Sequence, residues 1–338
     1  MTQIIRARAP LRISFAGGGT DVRPYSDERG GLVLNATINR YAYVTLVPRD
    51  DGRVTLRSLD YGNETAYDAA AGVPPMDGTM DLAKGVVRRL ETGSRGFDLY
   101  THTDCPPGSG LGASSTLVVA MVSAVNAWLR LGIDRYEVAR VAYQIEREDL
   151  GIEGGRQDQY AAAFGGFNFM EFHGDVALVN PLRIPPEWVG ELEYSLVLAY
   201  TGTSRVSSEI IASQIANYRS GSADPVEAMD RSKQFAIDLK RVLLTGKFRQ
   251  FGEMLHEAWL EKKRMSEKIS NPQIDHLYAT AREAGALGGK VSGAGGGGFM
   301  FFFTSFDRRQ QVAAALRAQG ADIVDFGFTE MGAQTWTL

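Results

Sequence analysis

The chain has 338 residues, with 36 Lys and Arg against 40 Asp and Glu and a formal net charge of −4, a balance that excludes the basic footprint of a nucleic-acid binder. Its 44% hydrophobic content is ample for two cores, in line with the roughly two domains that this length predicts. The single cysteine, Cys105, excludes an intramolecular disulfide and a Cys-based zinc cluster, and no apolar run reaches membrane-spanning length.

Residues 1–8 lack the apolar core of a signal peptide, so a cytoplasmic protein without a membrane partner is expected. Residues 4–9 alternate apolar and polar and predict a strand. That strand leads into Arg8-Ala9-Pro10-Leu11-Arg12-Ile13-Ser14-Phe15-Ala16-Gly17-Gly18-Gly19-Thr20-Asp21, where an arginine and a carboxylate flank a triple glycine. Residues 41–48, 53–58 and 97–103 predict further strands between turns such as Asp50-Asp51-Gly52, and residues 80–90 predict a helix capped by Asp77 or Thr79.

Next comes Pro106-Pro107-Gly108-Ser109-Gly110-Leu111-Gly112-Ala113-Ser114-Ser115, a glycine-alternating turn that runs into an apolar helix predicted over residues 116–131. Three alternate glycines remove the Cβ atoms that would hold a polyanion away from the backbone. The helix that follows aims unpaired N–H groups and its positive dipole end at the same place. The pattern is not a Walker A loop, since no lysine lies between Lys84 and Lys233. Nor is it a dinucleotide fingerprint, because the third glycine follows the second by two residues instead of three.

Asp134-Arg135-Tyr136-Glu137 has the form of a capping box opening a helix to about residue 150, which carries Glu146. Gly154-Gly155-Arg156-Gln157-Asp158 then turns the chain into another helix, and taken alone an Asp there reads as an N-cap. Prolines at 181, 185 and 186 mark a domain boundary. Beyond it the pattern predicts a strand at 194–200, helices over 206–284, strands at 290–292 and 298–303, a helix near 308–318 and a last strand at 321–327. The segment Lys290-Val291-Ser292-Gly293-Ala294-Gly295-Gly296-Gly297-Gly298 formally contains Gly-x-Gly-x-x-Gly, yet it leads into the aromatic strand Phe299-Met300-Phe301-Phe302-Phe303 and so is no dinucleotide site.

The three glycine segments, in this order and spacing, resemble the signature motifs of the GHMP kinases, and with Gly154–Tyr160 and His256-Glu257-Ala258-Trp259 they look most like the heptose 7-phosphate kinase branch. The resemblance implies an α+β fold of two domains. Residues 1–188 would form an N-terminal α/β domain with a left-handed β-α-β unit, and residues 189–338 a ferredoxin-like α+β domain. It implies an ATP- and magnesium-dependent sugar kinase with a small sugar phosphate as partner, and leaves a homodimer open. Competing readings are a kinase of an unphosphorylated heptose or fucose and a sugar and ATP sensor without turnover. Retention of Asp158, Glu146 and Ser114 argues against the sensor.

Phosphoryl transfer needs a triphosphate cradle, a magnesium ion and a group that positions or deprotonates the acceptor hydroxyl. By resemblance, Pro107, Gly108, Ser109, Gly110, Leu111, Gly112, Ala113, Ser114 and Ser115 form the cradle, and Ser114 with Glu146 binds the metal. Many members read Gly-Leu-Gly-Ser-Ser-Ala where this chain has Gly-Leu-Gly-Ala-Ser-Ser, which leaves open a share for Ser115. Asp158 is the implied base, with Arg156 close in sequence. Arg12 pairs with it or with the acceptor oxygen. Arg12, Thr20, Asp21, Gly155 and Gly295 are the expected sugar contacts, and Arg23, Arg205 and Lys263 are the candidates for a distal phosphate.

Overall fold

The computed structural model describes residues 3–106, 108–203 and 207–338. The first half builds one sheet from β1 (Ile5–Ala16), β2 (Gly31–Arg49), β3 (Arg53–Ser58), β4 (Glu64–Asp68), β5 (Gly96–Thr103), β6 (Phe167–His173) and β7 (Val176–Pro181). β1 extends well past its expected end and carries Arg12 inside the sheet. It stops at Gly17, whose φ of +82° and a Cβ position 1.8 Å from the Leu32 carbonyl oxygen admit no side chain. β2 pairs antiparallel with β1, β5 and β6, while β3 and β5 pair in parallel.

Among the described residues, five α-helices belong to this half: α1 (Tyr25–Arg29), α2 (Asp81–Arg89), α3 (Ala113–Leu129), α4 (Arg135–Gln144) and α5 (Gln157–Phe164). α3 is buried on nearly every side, as its uniformly apolar sequence requires, and packs on β1 and β2. Asp134 caps α4, accepting from the Glu137 backbone N–H at 2.9 Å. The helix expected to run on to residue 150 instead changes at Ile145–Asp149 into a π-helical turn, which rotates Glu146 inward.

The second half contains α6 (Pro186–Ser195), β8 (Leu196–Tyr200), α7 (Ser207–Arg219), α8 (Ala223–Leu243), α9 (Phe248–Arg264), α10 (Pro272–Glu283), β9 (Ala286–Val291), β10 (Phe299–Thr304), α11 (Arg309–Ala318) and β11 (Asp322–Val324). Tyr194, expected in a strand, instead closes α6, because Pro186 starts a helix that buries Leu192. The sheet order is β11-β8-β10-β9. Gly288 lets α9 lie directly on β9, since a Cβ there would sit 2.1 Å from the Gly252 carbonyl oxygen.

The chain then returns to the first sheet, where β12 (Gln334–Thr337) pairs with β1. An apolar cluster joins the two halves: Leu11, Ile13 and Phe15 of β1 pack against Phe251 of α9 and Phe301 and Phe303 of β10. Phe15 meets Phe251 and Phe301 edge-on, with centroids 5.5 and 5.8 Å apart. That shared core fixes the cleft between the halves. No helix among the described residues is long and apolar enough to cross a membrane.

Candidate active site

The glycine-alternating turn connects β5 to α3 and adopts positive φ at Gly108, Gly110 and Gly112 (+68°, +79° and +78°). It lies against the end of β9 so closely that a Cβ on Gly110 would be 2.3 Å from the Ser292 carbonyl oxygen. Leu111 accepts from the Arg12 backbone N–H at 3.1 Å and buries its side chain in the core between the halves. It is therefore an anchor of the loop, not a side-chain contact to a nucleotide. Pro107 lies outside the described residues.

Gly108, Ser109, Gly110, Gly112, Ala113 and Ser114 line one side of a cleft of about 430 Å3, faced by Glu146, Arg147, Gly155 and Asp158. Ser109 is buried, and its Oγ has no partner among the described residues. Ser114 is exposed at the helix start and donates to Glu146 Oε1 at 3.2 Å. Ser115 is buried and accepts from Gln159 Nε2 at 3.1 Å, while the same Nε2 donates to Glu146 Oε2. Of the two serines, only Ser114 points its hydroxyl at the Glu146 carboxylate.

These donors fit a magnesium nucleotide. A loop without Cβ atoms, an unpartnered buried hydroxyl and a hydroxyl beside a carboxylate are what a polyphosphate with a hard, sparsely liganded cation requires. No group of three or more His, Cys, Asp or Glu arranged for a metal occurs among the described residues. A second cavity of about 300 Å3 shares Ala113 and Ser114 with the cleft and is lined by Tyr61, Met80, Leu82, Leu117 and Met121.

Asp158 is the second residue of α5, not its cap. Its partner is Arg12, which donates to Oδ1 through Nε at 2.7 Å and also holds the Gly110 carbonyl. Arg156, its neighbour in sequence, turns away to Ser26 and Asp27 and lies over the rings of Tyr143 and Phe172. Asp158 also lines a small cavity behind the cleft, together with Asp21, Gln157, Gln214 and Lys262.

The other expected sugar contacts divide between the small cavity and places remote from it. Thr20 is wholly buried, and its hydroxyl bonds Gly17 and Leu32, so it locks the loop and reaches no ligand. Asp21 accepts from the Gly19 backbone at 2.9 Å and the Gln157 backbone at 3.0 Å, which aims the carboxylate at the small cavity. Gly155 backs it: a Cβ there would fall 2.0 Å from Asp21 Oδ2. Gly295 faces Ile269, while its neighbours Gly293 and Ala294 line the cleft. Arg23 is tied to Asp27 and Asp175 at the surface, and Lys263 to Asp275. Arg205 lies outside the described residues.

Two lysines buried beside the triple-glycine loop escaped the sequence reading. Lys262 of α9 donates to the Gly18 carbonyl at 2.8 Å, and burial pushes its ammonium down to about 8, against the pull of Asp21. Lys290 of β9 bonds the Phe15 carbonyl at 3.3 Å and is pushed down to about 7 by burial, with Lys262 and Arg12 adding to the shift. Both occur in charged or glycine-rich stretches, where a lysine reads as solvated. Only the i, i+3 spacing of Lys262 from the buried Trp259 places it on the inner face of α9.

A profile described as the GHMP kinases N terminal domain matches residues 81–166, and one described as GHMP kinases C terminal matches residues 238–322. The chain is 42% identical to the D-glycero-alpha-D-manno-heptose 7-phosphate kinase of Campylobacter jejuni, over 99% of each sequence. Among solved structures, it is similar to a D-glycero-D-manno-heptose 1-phosphate kinase from Bacteroides thetaiotaomicron, with a TM-score of 0.83, 41% identity and 98% of each chain covered. A Lactococcus lactis galactokinase complexed with galactose shares the fold, with a TM-score of 0.78 at 20% identity over 98% of this chain and 95% of that one.

Proposed function

The chain belongs to the GHMP kinase family, as an ATP-dependent phosphotransferase acting on sugars, and from that premise we propose that its acceptor is the anomeric hydroxyl of D-glycero-D-manno-heptose 7-phosphate, giving the 1,7-bisphosphate. The observation that carries the reading is the position of Asp158, which lines both the cleft of the glycine loop and the small cavity with Asp21. A sugar hydroxyl between the two stands within reach of both a carboxylate and a terminal phosphate.

In this reading, the backbone of residues 108–115 and the Ser109 hydroxyl bind the triphosphate. The apolar cavity beside Ser114 takes the base. Ser114 and Glu146 would hold magnesium, which would neutralise charge developing on the phosphates. Asp158 receives the proton of the acceptor hydroxyl while that oxygen bonds the γ-phosphorus and ADP leaves. Arg12 keeps the Asp158 carboxylate and the Gly110 carbonyl in one frame.

The choice of a heptose 7-phosphate is supported by the identity to the Campylobacter jejuni enzyme over nearly the whole chain. One observation favours a second reading, a kinase of the unphosphorylated sugar: Arg23 and Lys263, two of the three candidates for the distal phosphate, are paired with surface carboxylates. ADP release is measured with heptose 7-phosphate, heptose, fucose and galactose, with phosphorus NMR of the product. Phosphate at C1 of heptose 7-phosphate, at an efficiency orders of magnitude above heptose, supports the proposal. Equal efficiency on the two heptoses moves the assignment to the second reading.

A further inference from the structure

The small cavity beside Asp158 has a volume of about 40 Å3, room for roughly three or four oxygen-sized groups at 10–15 Å3 each. Its walls carry hydrogen-bonding capacity that the described residues leave unspent. Gln214 of α7 is 3% exposed, and its Nε2 has no partner among the described residues. Gln157 is 6% exposed, and its Oε1 is likewise unpartnered. Lys262 spends one of its three N–H groups on Gly18, and Asp21 Oδ2 accepts one bond, from the Gln157 backbone. Buried polar groups rarely stay unpaired in a folded protein unless a ligand or water completes them.

The glycines keep this space open. A Cβ on Gly19 would come within 3.0 Å of Gln214 Oε1 and 3.1 Å of Lys262 Nζ, and one on Gly18 within 3.1 Å of Gln157 Nε2. Any larger residue at these positions of the triple glycine would fill the cavity or press on its polar groups.

The unspent groups comprise two donors, Lys262 and Gln214, and two acceptors, Gln157 and Asp21. A phosphate only accepts, so it would set anionic oxygens against a carboxylate and an amide oxygen. A pair of neighbouring hydroxyls both donates and accepts, which matches the set. We propose that Lys262, Gln214, Gln157 and Asp21 form a subsite that reads a vicinal diol of the acceptor, on ring carbons next to the one that is phosphorylated. This rests on the sugar-kinase reading above and names the part of the sugar that the site selects.

The test measures kcat/KM of the wild type, Gln214→Leu and Lys262→Met on heptose 7-phosphate and on its 2-deoxy and 3-deoxy analogues. Thermal melting and binding of an ATP analogue check the fold of each variant. The wild type is expected to lose about 100-fold or more on at least one deoxy sugar, because a site built to bond a hydroxyl strongly rejects its absence. Each variant is expected to lose efficiency on the parent sugar and to narrow the parent-to-deoxy ratio to within about 10-fold, as a thermodynamic cycle requires of interacting groups.

A wild type indifferent to both deoxy sugars overturns the proposal, as do unchanged ratios in the variants. So does a loss confined to the 7-phosphorylated sugar with plain heptose untouched, which would assign the cavity to phosphate. If Lys262→Met does not fold, Gln214→Leu decides alone. A wild type that ignores heptose 7-phosphate but turns over another sugar refutes only the acceptor named above, and the same deoxy series on that sugar then decides the subsite.

Discussion

Arg12 and Asp158, 146 positions apart in the chain, meet on one oxygen: the guanidinium Nε donates to Asp158 Oδ1 at 2.7 Å, and Nη2 stands 2.6 Å from the same atom as an ion pair. Arg12 is 3% exposed and Asp158 22%, so the arginine is the fixed member and the carboxylate the one that reaches the cleft. Since Arg12 also holds the Gly110 carbonyl, it ties the glycine loop to the proposed base. Asp158→Asn is expected to lower kcat by about 10²–10⁴-fold while leaving the affinity for an ATP analogue within a few-fold. Steady-state kinetics and nucleotide titration check this, and near-normal turnover would remove Asp158 from the role of base.

Glu146 is buried at the π-helical turn and accepts from Ser114 and Gln159. Glu146→Gln keeps the shape and an acceptor oxygen but removes the charge that a magnesium ion would meet. The half-saturating magnesium concentration is expected to rise by at least about 10-fold, the lower end of what losing a mere supporting partner of a metal ligand costs, and kcat to fall with it. A magnesium titration that superimposes on the wild type would refute the pairing of Ser114 and Glu146.

The parts of this site legible in the sequence are those written locally. Alternate glycines before an apolar run gave the loop and α3, and glycines before Asp158 placed it in the first turn of a helix. The pairing of Arg12 with Asp158, expected from the resemblance, is present although Arg156 lies nearer in the chain: the sheet delivers Arg12, and two aromatic rings take Arg156. What the sequence hid is set by packing between distant elements. Lys262 and Lys290 are buried because α9 and β9 close over the triple-glycine loop, and no local pattern reports that closure. The return of β12 to β1 was equally invisible, since Gln334–Thr337 is short and exposed on one edge.

Gly155 has no side chain because Asp21 occupies the space that one would need. Its backbone does not require positive φ, so Gly155→Ala acts through contact alone. The methyl group would push Asp21 from the cavity, and KM for the sugar is expected to rise by about 10-fold or more, since displacing a charged hydrogen-bond partner forfeits about 1.5–3 kcal/mol. Gly190, within α6 and with nothing within 4 Å of its Cβ position, serves as the control: Gly190→Ala is expected to stabilise by about 0.4–1 kcal/mol with unchanged kinetics. An unchanged sugar KM in Gly155→Ala would show that Asp21 does not bind the acceptor.

Lys262 and Lys290 also make the protein's stability depend on pH in a definite direction. In the folded state they release protons near 8 and 7, whereas the unfolded chain holds them to about 10.4. Between pH 7 and 9 the unfolded state therefore binds more protons than the folded one, and stability rises with pH. Burial acts oppositely on Cys105 and Tyr67, raised to about 11 and about 12: here the unfolded chain ionises first, and stability falls as pH climbs past 9. Urea midpoints are thus expected to increase from pH 7 to a maximum near 9 and then decline. Lys290→Met should flatten the rising limb, because it removes the group with the lower folded-state value. A midpoint that is level or falling between pH 7 and 9 in the wild type, or an unaltered slope in Lys290→Met, would mean that the two ammonium groups are better solvated than their burial implies.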